Sequence, residues 1–297
     1  MIHDRLPAPV LARLRHAKHL GARSLKHIRW GLPLVRGPLF EPYFVWKQRR
    51  NPQTFPREKY AGEWFAQDLP GRSVLAGEPV PRRIFVIWAG DNPMSQARVR
   101  NLEEIRTVNH DLEIVLVTPD TLGQWVLPDA PLPAEYANLS FVHRADYLRC
   151  YLLHHHGGGY IDLKRPLHPW RGAFERLEAS DAWLLGYTER SRLNIPAVGG
   201  ELYRDLRGSS QQLFGYGGLI ARRHTALSSE WERRARAVLA THGAALEAHP
   251  GNDRGDSTGY PIAWTELLAH IVAPLTWKYQ DHVLHDDRVL PELRRYM

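Results

Sequence analysis

Between Phe141 and Trp170 the chain reads FVHRADYLRCYLLHHHGGGYIDLKRPLHPW, an acid and a base inside an apolar helical pattern, then glycines, then an acid and a lysine. Asp146 and Arg149 stand three residues apart, so on a helix they are neighbours. The spacing predicts a helix over 144–155 with Ala145, Leu148, Leu152 and Leu153 on its buried side. Gly157, Gly158 and Gly159 end it, residues that accept positive φ and close backbone approach. A short apolar strand, Tyr160–Leu163, follows, with Asp162 and Lys164 at its C-terminal end. Ligands of open α/β sheets bind outside the carboxyl ends of the strands, so Asp162 stands where a carboxylate meets a ligand. In any other setting the Asp146–Arg149 pair reads as a surface ion pair of little worth.

The elements that must position these residues are legible on both sides. Arg83–Trp88 (RIFVIW) and Glu113–Thr118 (EIVLVT) are continuous apolar runs, with a helical stretch over 95–109 between them. Strands apolar on both faces belong to a parallel sheet covered on both sides. Ala182–Tyr187 is a fourth strand, and 214–221, 228–242 and 264–272 supply later strands and helices. The fold class is therefore α/β, a single domain with a mostly parallel central sheet flanked by helices. It spans residues 80–297, and residues 1–79 form a basic amphipathic extension and connector, with a short helical piece around 60–68. Residues 9–34 carry apolar groups on one helical stripe and Arg, Lys and His elsewhere, a pattern that either lies on an anionic bilayer or packs on the body.

Composition narrows the class. Of 297 residues, 43% are hydrophobic and 24% charged, values of a folded protein. The net charge of +7 is unevenly spread: residues 1–50 hold eleven Lys and Arg against Asp4 and Glu41, a net +9, leaving −2 for the rest. The single Cys150 gives no disulfide and no cysteine-based zinc pattern, and reads as core. No apolar run suffices for a membrane span or a signal peptide, which points to the cytoplasm, with the basic segment as a peripheral contact on the inner face of the plasma membrane. Trp30 alone interleaves the basic residues within the 9–34 helical stretch, so nucleic acid is not an expected partner.

The pattern A-x-Y-L-R, then G-G-x-Y-x-D-x, preceded by a strand ending in Ile87-Trp88, resembles the DXD-containing sugar transferases: capsular polysaccharide synthesis proteins, outer-chain mannosyltransferases and glucosylating toxins. The likeness covers residues 83–170, and GYPIAW (259–264) is similar to a loop that closes on the diphosphate. It implies a GT-A-like fold and a retaining glycosyltransferase that uses a nucleotide-sugar donor and a glycan or lipid-linked glycan acceptor, in capsule or surface polysaccharide synthesis. It implies that Trp88 stacks on the base, that Asp146 and Arg149 meet the sugar and the diphosphate, and that Asp162 is the first Asp of the DXD pair. Gly158, Gly159 and Tyr160 line the same substrate site. The sequence departs from the family at Lys164, which occupies the second Asp position. A lysine cannot ligate a metal, but it can neutralise a leaving diphosphate. Two alternatives stand: Mn²⁺ or Mg²⁺ held by Asp162 and donor phosphates, or metal-independent transfer with Lys164, Arg149 and Asp162 as the catalytic set. A non-catalytic nucleotide-sugar or glycan binder on the same fold is the rival reading.

Other chemistry-bearing residues have plainer readings. Consecutive histidines on a helix point in different directions, so His154, His155 and His156 cannot all reach one ion, and they complement the helix C-terminus instead. The polar loop around Asp253, Asp256 and Ser257, and the group His282, His285, Asp286 and Asp287, read as surface.

Overall fold

The structure, a computed structural model, describes residues 33–293. The chain forms two compact units, Met1–Asn51 and Pro52–Met297. In the smaller, helix α1 spans Pro33–Arg50 and carries Lys47, Arg49 and Arg50 in its last turn, where basic side chains complement the helix dipole. The basic stripe expected over 9–34 lies almost wholly outside the described residues. No helix among the described residues is long and apolar enough to cross a membrane.

The larger unit is built on six strands: β1 Arg83–Ile87, β2 Glu113–Val117, β3 Gly158–Ile161, β4 Leu184–Thr188, β5 Phe214–Ala221 and β6 Val283–His285. Their order is β2-β1-β3-β5-β4-β6, and β5 alone runs antiparallel to its neighbours. The mixed α/β sheet expected from the sequence, mostly parallel and flanked by helices, is the sheet that forms. The helices of this unit are α2 Gln96–Val108, α3 Pro119–Leu122, α4 Phe141–His155, α5 Arg171–Glu178, α6 Gly200–Gly208, α7 Ala226–Ala248 and α8 Ala269–Lys278.

Alternation along the strands divides the core into two layers, because successive side chains point to opposite faces. Ile84, Val86, Ile161 and Ile220 meet Leu102 and Ile105 of α2 and Phe174 and Leu177 of α5. Phe85, Ile87, Tyr160 and Leu219 meet Tyr147, Leu148 and Tyr151 of α4 and Trp231 and Leu239 of α7. Residues 52–79 contribute Tyr60, Phe65 and Val74 to the interior.

Helix α4 starts three residues before the predicted position because Ser140 caps it, accepting from the His143 N–H at 3.2 Å. Packed between the sheet and α7, α4 buries almost every face, and this places Asp146 and Arg149 in the interior instead of on an exposed helix surface. Helix α1 was not foreseen over its range, nor were four shorter elements: the four residues of α3, the eight of α5, the nine of α6 and the three of β6 are too short for periodicity to register. The helical piece expected around 60–68 is instead one 3₁₀ turn, Arg57–Tyr60. The group read as surface near the C-terminus is partly interior: Asp286 is 8% exposed and binds Arg176 at 2.9 Å and Arg288 at 2.6 Å.

Candidate active site

Strand β3 delivers Tyr160 and Asp162 to the face covered by α4, whose second and third turns deliver Asp146 and Arg149. Arg149 is the hub. Its Nη2 donates to the Tyr160 hydroxyl at 2.9 Å and lies 3.4 Å from Asp162 Oδ1 and 3.3 Å from Asp146 Oδ1. Its Nη1 donates to the carbonyl of Tyr216 at 3.0 Å, and its guanidinium sits over the Tyr160 ring, 4.2 Å from the centroid. The Tyr160 hydroxyl donates to Asp162 Oδ1 at 2.8 Å, and Lys164 Nζ donates to Asp162 Oδ2 at 2.7 Å. Asp146, Arg149, Tyr160, Asp162 and Lys164 are thus brought into one cluster at the C-terminal rim of the parallel strands.

The two acids of the cluster are held in opposite states. Burial pushes the Asp146 carboxyl up to about 7, and the nearby Arg149 only partly offsets it. Burial also works against ionised Asp162, but Lys164 and Arg149 outweigh it and hold that carboxyl below its usual range. Arg149 Nε is buried without a hydrogen-bond partner. A buried carboxyl with a raised pKa beside an incompletely satisfied guanidinium, at the rim where the strands end, makes this cluster the candidate site.

The donor set does not suit a divalent cation held by protein alone. Both Asp162 oxygens face cationic groups, Arg149 with Tyr160 on one side and Lys164 on the other. The second acid of the cluster, Asp146, is turned to Arg149. A carboxylate so engaged offers an ion few free lone pairs.

Trp88 follows β1 at the same rim, half-buried, and its indole N–H donates to the Asn92 carbonyl at 2.7 Å. It shares the parity of Ile84 and Val86 and packs with their layer, on the face of the sheet away from α4. On the α4 side, a cavity of about 120 Å³ opens between the ends of β1 and β2, lined by Ala89, Thr118, Pro119, Tyr136, Arg144 and Leu148. Gly158 and Gly159 are not at the rim. They begin β3, where Gly158 (φ +103) passes so close to Arg83 that a Cβ would lie 2.9 Å from its carbonyl oxygen, and Gly159 lies under the Trp170 ring.

Sequence reasoning missed part of the rim. The Tyr187 hydroxyl and Pro291 Cγ crowd Gly217 from the same side as Asp162 Oδ2, each within 3.4 Å of where a Cβ would stand. Gly217 and Tyr187 come from β5 and β4, and Pro291 from the last described segment, so only the three-dimensional sheet order joins them to Asp162. A signal existed in FGYGG (214–218), where a strand spends three glycines. Arg98 and Asn101 of α2 also act here, donating to the Leu163 carbonyl at 2.7 and 3.0 Å and fixing the loop that carries Lys164.

The remaining candidates fall elsewhere. The Asp253–Ser257 loop is an exposed turn around Asn252, whose Oδ1 accepts from the backbone of Arg254, Gly255 and Asp256. The 259–264 segment is pinned to the first turn of α4 by Tyr260, which stacks on His143 and shares a 2.8 Å hydrogen bond with its Nδ1. That segment ends in Trp264, 62% exposed. Cys150 is buried. His156 bonds the Trp125 carbonyl at 2.8 Å and turns away from His154 and His155.

No protein-family model matches the chain, and no curated protein matches it. Among solved structures it is similar to one described as PaToxG Glycosyltransferase, at 11% identity and a TM-score of 0.39, over 76% of this chain and 75% of that one. A likeness of that size carries no argument about activity.

Proposed function

We propose that the chain is a GT-A-type glycosyltransferase that moves a sugar from a nucleotide-diphosphate donor to a hydroxyl of a glycan acceptor, with retention of configuration. The observation that supports it is the cluster of Asp146, Arg149, Tyr160, Asp162 and Lys164 at the carboxyl rim of the sheet. Two fixed cations there face a position where negative charge develops as a nucleotide diphosphate departs, and preorganised charge at a water-poor site is the largest usual source of rate. Arg149 and Lys164 would take the diphosphate, Asp162 the ribose and donor sugar, and Asp146 the sugar hydroxyls. The cavity beside Ala89 is smaller than a whole ligand site, so it would take one ring, the base, while Trp88 joins the other face of the sheet. Exposed Trp264 offers an apolar face to an acceptor sugar.

In the step itself, the bond from the anomeric carbon to the diphosphate oxygen breaks. A new bond forms to the acceptor oxygen on the same face, and the hydroxyl proton passes to the departing phosphate. Lys164 neutralises that phosphate where the family's second acid would have held a metal. A place in capsule or surface polysaccharide synthesis, a lipid-linked acceptor, and contact of residues 1–50 with the anionic inner leaflet all belong to the same reading. Loss of binding to anionic vesicles on deleting 1–50 tests the membrane part.

A panel of nucleotide sugars tests the central claim. One donor should raise the melting temperature as its concentration passes its dissociation constant, and should slowly release free nucleotide. Stabilisation with no release from any donor would leave the non-catalytic binder in its place, and neither effect would end the proposal. Unchanged turnover in Lys164→Ala with an absolute Mn²⁺ requirement would overturn the role given to Lys164.

A further inference from the structure

We propose that His154, His155 and His224 ligate a divalent transition-metal ion at the rim of the sheet opposite the carboxylate cluster, with Glu232 as its charge partner. The three imidazoles come from separate places. His154 and His155 close α4, and His224 lies in the turn between β5 and α7. One ring nitrogen from each lies within 4.8 Å of the others. Ligands around a tetrahedral ion with metal–nitrogen bonds of 2.0–2.1 Å stand about 3.3 Å apart, so ring movements of about 1 Å complete the set. Imidazole nitrogens with a carboxylate suit Zn²⁺ and its first-row neighbours.

The location follows from the sheet. Gly158, at the start of β3, pairs with Ala221, at the end of β5, so both the end of α4 and the turn bearing His224 lie at the amino rim of β3. Asp162 leaves the other end of that strand. This site shares no residue with the proposed donor site and does not rest on it.

Several contacts hold the imidazoles ready. The His224 N–H donates to the His154 carbonyl at 3.0 Å, which ties two ligands through their backbones, and the His224 carbonyl accepts from Arg72 N–H at 3.0 Å. These bonds keep His224 at φ 56, a left-handed conformation that a non-glycine residue adopts at a cost. The rings of His154 and His224 meet edge to face at 4.8 Å. His154 Nδ1 is bonded to Ser228 Oγ at 2.9 Å, the outer contact that orients a ligating ring. Glu232 lies 3.4 Å from His154 Nε2 and 3.2 Å from His155 Nε2, and Arg236 holds it from behind at 3.0 Å.

Arg72 and Arg223 near His224 repel a cation, and Glu232, facing the His154 and His155 rings and held by Arg236, offsets them. His224 is exposed, which gives an ion its way in. Bound there, the ion would join α4, which carries Asp146 and Arg149, to α7.

Titration of the purified, chelator-treated full chain with Zn²⁺ and with Co²⁺ tests the site. Uptake of one equivalent is expected, with visible Co²⁺ bands of a tetrahedral nitrogen-rich site and a rise in melting temperature with Zn²⁺. His224→Ala, which removes an exposed ring and keeps the backbone bonds of the turn, should lose that equivalent. Glu232→Gln, which removes the charge facing the Nε2 atoms of His154 and His155, should weaken it. Asp162→Asn should bind Zn²⁺ like the unaltered chain. No stoichiometric uptake, or uptake untouched by His224→Ala, would overturn the site and leave a hydrogen-bonded histidine cluster. Loss of the equivalent in Asp162→Asn would move the ion to the other rim and overturn it equally.

Discussion

Glu230 and Asp162 are both carboxylates beside a lysine in the larger unit, and their surroundings contrast. Glu230, in α7, accepts from Lys278 Nζ at 2.7 and 2.9 Å, from the Tyr279 hydroxyl at 2.5 Å and from the Leu69 N–H at 3.1 Å. Lys278 spends a further proton on the Gln67 carbonyl at 2.6 Å, and the side chains of both ions are 0% exposed. That network is saturated, and it fastens α7, α8 and the 67–69 segment together. At the rim, Asp162 and Lys164 keep 17% and 14% exposure, Arg149 Nε is buried unbonded, and Asp146 is pushed up to about 7. A saturated buried network rigidifies a fold. A buried guanidinium nitrogen without a partner beside an acid of raised pKa marks instead a candidate for binding or catalysis.

Removing one cation from each network should separate the two roles most sharply. Lys278→Met strands a fully buried carboxylate and should cost about 3–5 kcal/mol of stability in urea unfolding. Lys164→Ala leaves Asp162 with Arg149 and Tyr160 at an open edge. Its stability should change by less than about 1 kcal/mol, while donor turnover falls about 10²–10³-fold, as on loss of one preorganised charge. Equal stability losses in the two variants would break the contrast.

The next effect concerns the sign of a pH dependence. Asp146 has a folded value near 7 against an unfolded value near 4, so the folded chain binds that proton more tightly. Its contribution to stability is therefore fully present below pH of about 4 and is lost as pH rises through about 7. Asp162 runs the other way: its folded value is lowered, so its contribution is present above pH of about 4 and lost in acid. Asp146→Asn removes the first slope. The ceiling is about 4 kcal/mol for a rise of roughly three units, and the lost Arg149 contact offsets part of it, leaving the variant about 2 kcal/mol more stable than the unaltered chain at pH 8 and not at pH 5. Thermal unfolding at the two pH values reads this, with nucleotide release as the opposing readout: the stabilised variant should be the less active one.

How far the sequence carried this picture depends on the range of the signal. The apolar parts of β1 and β2 were legible because continuous hydrophobic runs encode buried parallel strands locally, whereas nothing in the glycine-rich run of β5 (Phe214–Ala221) marks its antiparallel direction. Asp146, Arg149 and Asp162 were legible because a helix, a glycine break and a strand place them within one short segment. Their burial was not, since Ser140 as a cap and α7 as a cover are separate facts of the fold. Trp88 shows the same limit. Its position at the rim follows from the strand, but which layer its ring joins follows from parity, and parity was set by where β1 begins. Tyr187 and Pro291 reach Asp162 through strand order, and His224 reaches His154 through the antiparallel run of β5. Neither is written in local spacing.

The finest comparison is between two tyrosines that donate to the two carboxylates. The Tyr279 hydroxyl bonds Glu230 at 2.5 Å inside the saturated network, and the Tyr160 hydroxyl bonds Asp162 at 2.8 Å while accepting from Arg149 at 2.9 Å. Tyr279→Phe removes a donor that water cannot replace at a fully buried acid, so its cost should reach about 1–2 kcal/mol in stability. Tyr160→Phe leaves the ring under the Arg149 guanidinium and lets that guanidinium close directly on Asp162, already 3.4 Å away. Its stability cost should stay below about 1 kcal/mol. What it loses is the spacer that holds Arg149 off the acid, and with it the geometry the proposed function relies on to meet a diphosphate. Donor affinity should therefore fall more than melting temperature. If Tyr160→Phe proved the more destabilising and bound donor unchanged, the rim would be the structural network of the two.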